Sequence, residues 1–408
     1  MTRRMTPIAA WIVTACLASG YLLTQAMSDQ VREQFKLGTF QHRGQTFIGL
    51  VLRDTIVIDI AMANASLERD DPSLGKLAMP HDMKELISRY EHDGLKQRLY
   101  AIVNKVSAIV SGASRPMYVH DLRAVKVLPS IMYPETLLNA AVNYEEHARE
   151  SAQIQPATAG GQPSLVQREE PGAVPGLWER KAGDTRHNPY LFLKPRSAVI
   201  ADGEAIRIPP GRDRIDWECE LVVVIGRQAS RVPIERANDY IFGYTLENDV
   251  SDRGGRGDRR HGSDWLVSKG HDTFAPLGPF IVPKEFIKDP HQLRIKFTLS
   301  GKVMQDSNTT RMTHNVYELL YYASNILTLQ PGDVIATGSP AGVGSARTPP
   351  IFMRPGDVAV CTIEGIGTLT NPVVGSSPPA KSSQEAAARP GQRRGRQTEP
   401  GPAPDPGR

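Results

Sequence analysis

Two glutamates begin an otherwise apolar segment, IDWECELVVVIG, at residues 215–226. Successive strand side chains point to opposite faces, so Glu218 and Glu220 share one face with Val222 and Val224. Both faces of the later half are apolar, which predicts a strand buried on both sides. Two carboxylates about 7 Å apart on a buried face repel each other unless a cation lies near them. We therefore expect positive charge beside this strand.

A second strand pattern supplies further carboxylates. In YTLENDVSD, residues 244–252, alternation places Glu247 and Asp249 on one face, and Asp249 stands where the strand ends. Two glutamates and an aspartate form an all-oxygen ligand set, which suits Mg²⁺, Mn²⁺ or Ca²⁺ and not zinc. We predict that Glu218, Glu220 and Asp249 bind one divalent ion. Glu247 is interpreted instead as a surface salt-bridge residue.

A third cluster is the pair of His147 and Glu150 in NYEEHARES. Residues three apart share a helix face, and a carboxylate that holds an imidazole is the arrangement of a general base that activates water. Pairs at this spacing are more often surface pairs. The catalytic interpretation therefore depends on the neighbouring carboxylates.

Composition sets broad limits on the protein class. The chain has 408 residues, 40% of them hydrophobic and 23% charged, which fits a soluble globular protein of one to three domains. The net charge of +4 is scattered, without a basic stripe interleaved with aromatic residues, which argues against nucleic-acid binding. The glycine-rich GSPAGVGSA, residues 338–346, lacks the Lys-Ser/Thr of a phosphate-binding loop.

The N-terminus has the layout of a targeting segment. Arg3 and Arg4 precede an apolar run at residues 8–23, which predicts a signal peptide or membrane anchor over residues 1–26. The run is short for a membrane span. We expect an exported, periplasmic or membrane-anchored protein, with a cytoplasmic location as the alternative.

The elements that must position these residues form a mixed α/β, β-rich pattern. Residues 30–125 predict a small N-terminal β/α region, with helical periodicity across residues 82–106. Residues 190–374 are mostly strands, two of them following Pro-Gly-Asp turns, with one helix at residues 313–329. Residues 152–188 predict a lid-like or disordered insertion, and residues 375–408 a disordered tail.

Two cysteines fall within strand patterns. Cys219 and Cys361 fit small core residues, and they also fit a disulfide. The sequence leaves both alternatives open.

Several motifs occur here in a single order. They are AVNYEEHARES, YLFLKPRSAVI, IDWECELVVVIGR, IFGYTLENDVSDR, WLVSKGHDTFAPLGPFIV and LQPGDVIATGSPAGVG. The series, over roughly residues 128–374, resembles the fumarylacetoacetate hydrolase superfamily, which includes acylpyruvate hydrolases, oxaloacetate decarboxylases and hydratase-isomerases of meta-cleavage pathways. The resemblance implies a mixed β-sheet rolled around the site, a homodimer, and a bound Mg²⁺ or Mn²⁺.

The resemblance also implies roles for individual residues. The family's E-x-E and following aspartate fall on Glu218, Glu220 and Asp249 as metal ligands, and its H-x-x-E dyad falls on His147 and Glu150.

Four further positions follow from the same motifs. The family's lysine before the DTF element falls on Lys269, and the threonine of that element on Thr273. In the loop that holds a substrate carboxylate, Ser339 stands in place of a threonine. The chain departs from the family at DRGGRGDRRHGSD, where Arg256 falls near the usual substrate glutamine.

These residues predict a divalent-metal-dependent hydrolase that cleaves a C–C bond in a 2,4-dioxo acid, with water activated by His147 and Glu150. One alternative is a hydratase, isomerase or decarboxylase that acts on a 2-oxo acid through the same metal enolate. A further alternative is a non-catalytic exported protein that binds small acids.

Overall fold

The computed structural model describes residues 31–375 except residues 32, 110–114, 155–171 and 259–261. The predicted leader lies outside the described residues, as do the predicted tail after Gly375 and residues 155–171 of the predicted insertion. No helix in the described ranges combines the length and apolar content that a membrane crossing needs.

The described part of the chain contains nineteen strands and six α-helices. The strands are β1 (Lys36–His42), β2 (Gln45–Leu52), β3 (Ile56–Asp59), β4 (Val119–Asp121), β5 (Lys126–Leu128), β6 (Leu137–Ala140), β7 (Leu191–Leu193), β8 (Val199–Ile200), β9 (Ile206–Ile208), β10 (Ile215–Asp216), β11 (Cys219–Ile225), β12 (Ile241–Asn248), β13 (Ser251–Asp252), β14 (Ala275–Pro283), β15 (Arg294–Leu299), β16 (Lys302–Asn308), β17 (Val334–Ala336), β18 (Val358–Ile363) and β19 (Gly367–Gly375). The helices are α1 (Ile60–Asp70), α2 (Met83–Arg89), α3 (Leu95–Ile109), α4 (Glu145–Ile154), α5 (Trp265–Lys269) and α6 (Val316–Ile326).

The strands of the described chain form a twelve-stranded sheet, a five-stranded sheet and a two-stranded ribbon. The large sheet has the order β4-β3-β2-β1-β14-β12-β11-β17-β6-β7, with β5 beside β1 and β8 beside β14. The smaller sheet has the order β16-β15-β18-β19-β9, and β10 pairs with β13. Three pairs are parallel: β6 with β17, β8 with β14, and β9 with β19. This architecture confirms the predicted β-rich mixed fold class.

The N-terminal region shares the large sheet with the rest of the chain. Strand β1 pairs with β14 through Leu37 and Ile281. Helices α1 to α3 cover one face of this sheet, where Leu86 and Leu99 belong to the same core as Val222 of β11. The N-terminal region therefore closes one side of the strand that begins with the two glutamates.

The helix predicted across residues 82–106 is two helices. Asp93 and Gly94 both have left-handed φ angles, of 57° and 72°, which an α-helix cannot continue, and α3 begins directly after them. Helix α1 was not predicted. It begins after Asp59, whose side chain accepts a hydrogen bond from Met62 N as an N-cap.

Strand β11 is buried along its whole length, as predicted. Its odd-numbered residues belong to a core shared with the five-stranded sheet and α6, where Trp217 stacks on Phe297 with ring centroids 5.4 Å apart. Val222 and Val224 face the N-terminal core. Because both faces are covered, the polar residues at the start of β11 are held in a buried, closely packed setting.

Cys219 and Cys361 form a disulfide with Cα atoms 5.5 Å apart. The bond joins β11 of the large sheet to β18 of the five-stranded sheet, and both cysteines are buried. Of the two alternatives that the sequence leaves open, the structure contains the disulfide. It anchors the backbone directly between Glu218 and Glu220.

Predictions in the C-terminal half agree with the structure. The two Pro-Gly-Asp turns precede β17 and β18, and the helix predicted at residues 313–329 is α6. A capping box formed by Asn315 and Glu318 begins this helix.

The described end of the predicted insertion, residues 172–188, packs against α6. Trp178 is buried and its ring lies 6.0 Å from that of Tyr321. Arg186 pairs with Glu318 Oε1 at 2.8 Å. This part of the insertion is therefore a packed segment that leads into β7.

Candidate metal centre and its surroundings

Three carboxylates meet where β11 begins and β12 ends. Glu218, Glu220 and Asp249 each offer an oxygen within 4.8 Å of the others, and all three are buried. The antiparallel pairing of β11 with β12 brings them together: Glu220 lies opposite Glu247, and Asp249 N donates to Glu218 O at 2.8 Å. The three predicted ligands thus form one cluster.

The positive charge expected beside β11 comes from three side chains. Lys269 Nζ donates to Glu218 Oε2 at 2.6 Å and also to Asp249 Oδ2. Lys194 Nζ donates to Asp249 Oδ1 at 2.5 Å, and Arg253 donates to Glu218 Oε1. Each carboxylate oxygen of Asp249 therefore accepts a hydrogen bond from the ammonium group of a lysine.

These ion pairs determine the charge state of the cluster. Burial raises the pKa of Glu218, but Lys269 and Arg253 outweigh that effect and hold the pKa well below its usual value. Burial lowers the pKa of Lys269, but Asp249 and Glu218 outweigh it, so the pKa is raised. Glu218 and Lys269 therefore remain charged at neutral pH.

Glu220 has a different environment. Its Oε2 accepts a hydrogen bond from Gly338 N at 2.7 Å, but within the described ranges it forms no ion pair with a lysine or arginine. Burial and the charges of Asp249, Glu218 and Glu247 raise its pKa well above the usual value. A buried carboxylate of this kind needs a cation to stay ionised. Together with the oxygen-only donor set, it fits a divalent ion such as Mg²⁺ or Mn²⁺.

The interpretation of Glu247 as a surface residue is wrong. Its side chain is fully buried, because β12 lies between β11 and β14 in the centre of the large sheet. Asn139 Nδ2 donates to Glu247 Oε2 at 3.1 Å. Burial raises the pKa of Glu247 to about 8, although nearby Lys194 opposes the shift.

The predicted dyad faces the carboxylate cluster. His147 Nδ1 lies 3.3 Å from Glu150 Oε2, and His147 Nε2 lies 3.8 Å from Glu218 Oε1. Both oxygens of Glu150 accept a hydrogen bond from Gly342 N at 3.1 Å. Glu150 is therefore fixed by the loop after β17, and the imidazole lies between it and Glu218.

The TGSP loop after β17 contacts the cluster through its backbone. Gly338 N binds Glu220, as described above, and a Cβ at position 338 would lie 2.7 Å from Asn143 Cβ. Ser339 is buried, and its Oγ accepts a hydrogen bond from Gln305 Nε2 at 2.8 Å. The hydroxyl predicted to bind substrate is thus held by a neighbouring side chain.

Two other predicted residues have partners outside the cluster. Thr273 Oγ1 accepts a hydrogen bond from Arg207 N of β9 at 2.9 Å. Arg256 Nη2 pairs with Asp258 Oδ1 at 2.6 Å. The arginine that contacts the carboxylates is Arg253, three residues earlier.

Sequence reasoning missed Lys194, Arg253 and Tyr144. Lys194 directly follows the apolar residues of YLFLKPRSAVI, and Arg253 ends IFGYTLENDVSDR, so a charged residue beside an apolar strand was the available signal. Tyr144 is fully buried next to Glu220, and its hydroxyl has no hydrogen-bond partner in the described part of the chain. Burial and the charge of Glu220 raise its pKa.

Residues 136–374 match the fumarylacetoacetate (FAA) hydrolase C-terminal family. The chain belongs to the fumarylacetoacetate hydrolase family. The predicted resemblance is thereby confirmed, and the chain is a member of a family of enzymes.

Curated and solved members of the family differ in the reaction they are named for. Over 186 residues, the chain is 43% identical to the mitochondrial oxaloacetate tautomerase fahd2 of Xenopus laevis, a match that covers 46% of this chain and 58% of that protein. The match thus spans less than two thirds of that relative.

Two solved structures cover 84% of this chain and the whole of their own chains. The 5-carboxymethyl-2-hydroxymuconate delta-isomerase of Mycobacterium smegmatis has a TM-score of 0.54 at 28% identity. The maleylpyruvate hydrolase of Sphingobium sp. SYK-6, in complex with manganese(II) and pyruvate, has a TM-score of 0.57 at 25% identity. Isomerase, tautomerase and hydrolase names therefore all occur among the similar proteins.

Proposed function

We propose that the protein is a divalent-metal-dependent hydrolase that cleaves a C–C bond in a 2,4-dioxo acid. The observation that carries the proposal is the position of His147 between Glu150 and Glu218. An imidazole held by one carboxylate, with its other nitrogen directed at a buried acidic cluster, is placed to activate a water molecule there.

Glu218, Glu220 and Asp249 would hold Mg²⁺ or Mn²⁺. When bound, such an ion acts as a Lewis acid toward the oxygens of a 2-oxo acid and neutralises the charge of an enolate. The manganese and pyruvate in the maleylpyruvate hydrolase complex support this proposal.

The chain's own residues supply the proton transfers. His147 Nε2 accepts a proton from water, while Glu150 holds the ring through Nδ1 and stabilises the imidazolium. Water adds to the C4 carbonyl, the C3–C4 bond breaks, and the acyl part leaves as a carboxylic acid. The enolate of the 2-oxo acid then takes a proton at C3. Lys269, buried and charged, donates to the oxygen on which negative charge develops.

Tautomerisation of oxaloacetate is the second candidate. It is favoured by the 43% identity to the Xenopus laevis tautomerase. Tautomerisation moves a proton between carbon and oxygen and needs no attacking water. The same base and lysine serve both reactions, so product analysis separates them.

The proposal includes a location and an assembly. We propose export, because residues 1–26 have a basic start and an apolar run. The disulfide supports this proposal, since disulfides persist in oxidising compartments. We also propose a homodimer, which the family resemblance implies.

Product analysis with the purified full chain tests the reaction. The chain is incubated with acylpyruvates and with oxaloacetate, with and without Mg²⁺ or Mn²⁺. Metal-dependent release of pyruvate and a carboxylic acid in equal amounts supports hydrolysis. Keto–enol conversion of oxaloacetate without cleavage of any 2,4-dioxo acid would replace it with the tautomerase function.

A further inference from the structure

Three aromatic side chains pack together near the metal centre, and one of them, Phe192, lies beside Lys269. The Trp265 ring lies 4.8 Å from the Phe192 ring and 5.5 Å from the Tyr190 ring, with interplanar angles of 36° in both pairs. Lys269 Nζ lies 5.2 Å from the centre of the Phe192 ring. We call Tyr190, Phe192 and Trp265 the aromatic cluster.

Two elements direct this cluster toward the carboxylates. Side chains two apart along a strand share a face, so Tyr190 and Phe192 lie on the same side as Lys194, which binds Asp249. Residues four apart share a helix face, so Trp265 of α5 lies on the same side as Lys269. In each element, the aromatic side chains share a face with a lysine that contacts Asp249.

The cluster remains partly open to solvent. Tyr190 is 40% exposed, and Phe192 and Trp265 are only partly buried. Lys269, by contrast, is 3% exposed. Lys269 therefore contacts the buried carboxylates and also the ring of the partly buried Phe192.

We propose that the aromatic cluster binds an aromatic acyl group at C4 of the substrate, so that the enzyme prefers 4-aryl-2,4-dioxobutanoates. The inference rests on the proposed function and names its substrate class. A dioxo acid bound through the divalent ion that Glu218, Glu220 and Asp249 would hold would present its oxygens to Lys269, and its far end would then lie toward the rings. Ring centroids 4.5–7 Å apart are the separations at which aromatic groups attract one another, so an aryl group gains more there than a methyl group.

Paired substrates test the proposal. The kcat/KM values for 4-phenyl-2,4-dioxobutanoate and for 2,4-dioxopentanoate are measured in the wild type and in Phe192→Ala, Trp265→Ala and Leu193→Ala. Leu193 is a matched control, because it lies on the same strand, is 62% exposed and points to the opposite face. We expect the cluster variants to lose about tenfold on the phenyl substrate and less than about twofold on the methyl substrate. The control should be unchanged on both.

Two results would overturn the inference. Equal losses on both substrates would mean that the cluster only supports Lys269. The wild type could instead prefer a dioxo acid with a carboxylate tail over the phenyl substrate. That result would mean that the far end of the substrate binds the arginines of the loop that contains Arg253 and Arg256, and not the aromatic cluster.

A binding measurement keeps the inference separate from the reaction. We expect 4-phenyl-2,4-dioxobutanoate to quench tryptophan fluorescence in the wild type, after correction for absorption, and to lose that quenching in Trp265→Phe. Quenching without hydrolysis would reject the proposed function and keep the aryl site. Hydrolysis with equal quenching in both proteins would keep the function and reject the aryl site.

Discussion

His147 Nδ1 lies 3.3 Å from Glu150 Oε2 across one turn of α4, while the other ring nitrogen points toward Glu218. The two carboxylates have different surroundings: Glu150 is held by a backbone amide, and Glu218 by Lys269 and Arg253. The imidazole therefore lies between a carboxylate held by a backbone amide and a carboxylate held by cations, which gives each of its nitrogens a separate task.

The first prediction concerns this imidazole. His147→Ala should lower kcat on acylpyruvates by roughly 10² to 10⁴, because general-base help is lost, and leave the affinity for Mn²⁺ nearly unchanged. Steady-state kinetics and calorimetry measure the two quantities. Glu146→Gln, a change on the same helix at a partly exposed residue paired with Arg311, serves as the control. Full activity in His147→Ala would contradict water activation by the dyad.

A second prediction distinguishes the proposed metal ligands Glu218 and Glu220 from the neighbouring carboxyl group of Glu247. Glu220→Ala should abolish binding of Mg²⁺ and Mn²⁺, because it removes the carboxylate that lacks a cationic partner in the described part of the chain. Glu218→Ala should lose binding and turnover together. Glu247→Gln should keep metal binding, since an amide replaces the carboxyl that Asn139 contacts. Calorimetry that showed unchanged affinity in Glu220→Ala would reject the metal site.

A third prediction follows from the raised pKa of Glu247. The folded pKa of about 8 exceeds the usual value of 4.5, so the folded state retains a proton that the unfolded state has lost between these pH values. The free energy of unfolding of the wild type, relative to Glu247→Gln, should therefore fall as pH rises from 4.5 to about 8, by at most about 1.4 kcal/mol per pH unit. Denaturant unfolding in the presence of a chelator measures this difference. A difference that did not change with pH would mean that Glu247 titrates normally.

A fourth prediction concerns the disulfide. Replacing Cys219 and Cys361 together by alanine should lower the free energy of unfolding by about 2–5 kcal/mol, because the bond closes a long loop. Cys16→Ala is the control, since it replaces the third cysteine of the sequence and leaves Cys219 and Cys361 in place. If the double variant matched the wild type in denaturant, the bond would contribute nothing to folding.

A fifth prediction concerns the leader. Residues 1–26, fused to a reporter that is active only outside the cytoplasm, should give a signal, because the basic start and apolar run direct export. Replacing Arg3 and Arg4 by glutamate should weaken it. A silent wild-type fusion would place the protein in the cytoplasm.

The sequence predicted the face of each carboxylate, but it did not predict the burial of Glu247. Alternation along β11 correctly separated Trp217 from Glu218, because strand periodicity depends on local geometry alone. The same alternation could not show that β12 pairs with β14 on one side and β11 on the other, so Glu247 was misplaced. Depth depends on which strands become neighbours, and β12 and β14 are joined by pairing rather than by sequence adjacency.

The sequence also did not predict the ion pairs between residues far apart in the chain. Lys194 and Asp249 are 55 residues apart, and Arg253 and Glu218 are 35 apart. No local pattern predicts such pairs, and only the resemblance to a family pointed to Lys269. The break between α2 and α3 was visible in principle, because Asp93 and Gly94 are favoured turn residues.

The disulfide also has a practical consequence. Cys219 stands between two glutamates of the proposed metal site, so protein made in a reducing cytoplasm and protein made in an oxidising compartment should be different covalent molecules with the same sequence. Preparations from different expression hosts would then be mixtures of two forms in unequal proportions. The fraction of oxidised chain should therefore be measured in every batch before metal affinities from different laboratories are compared.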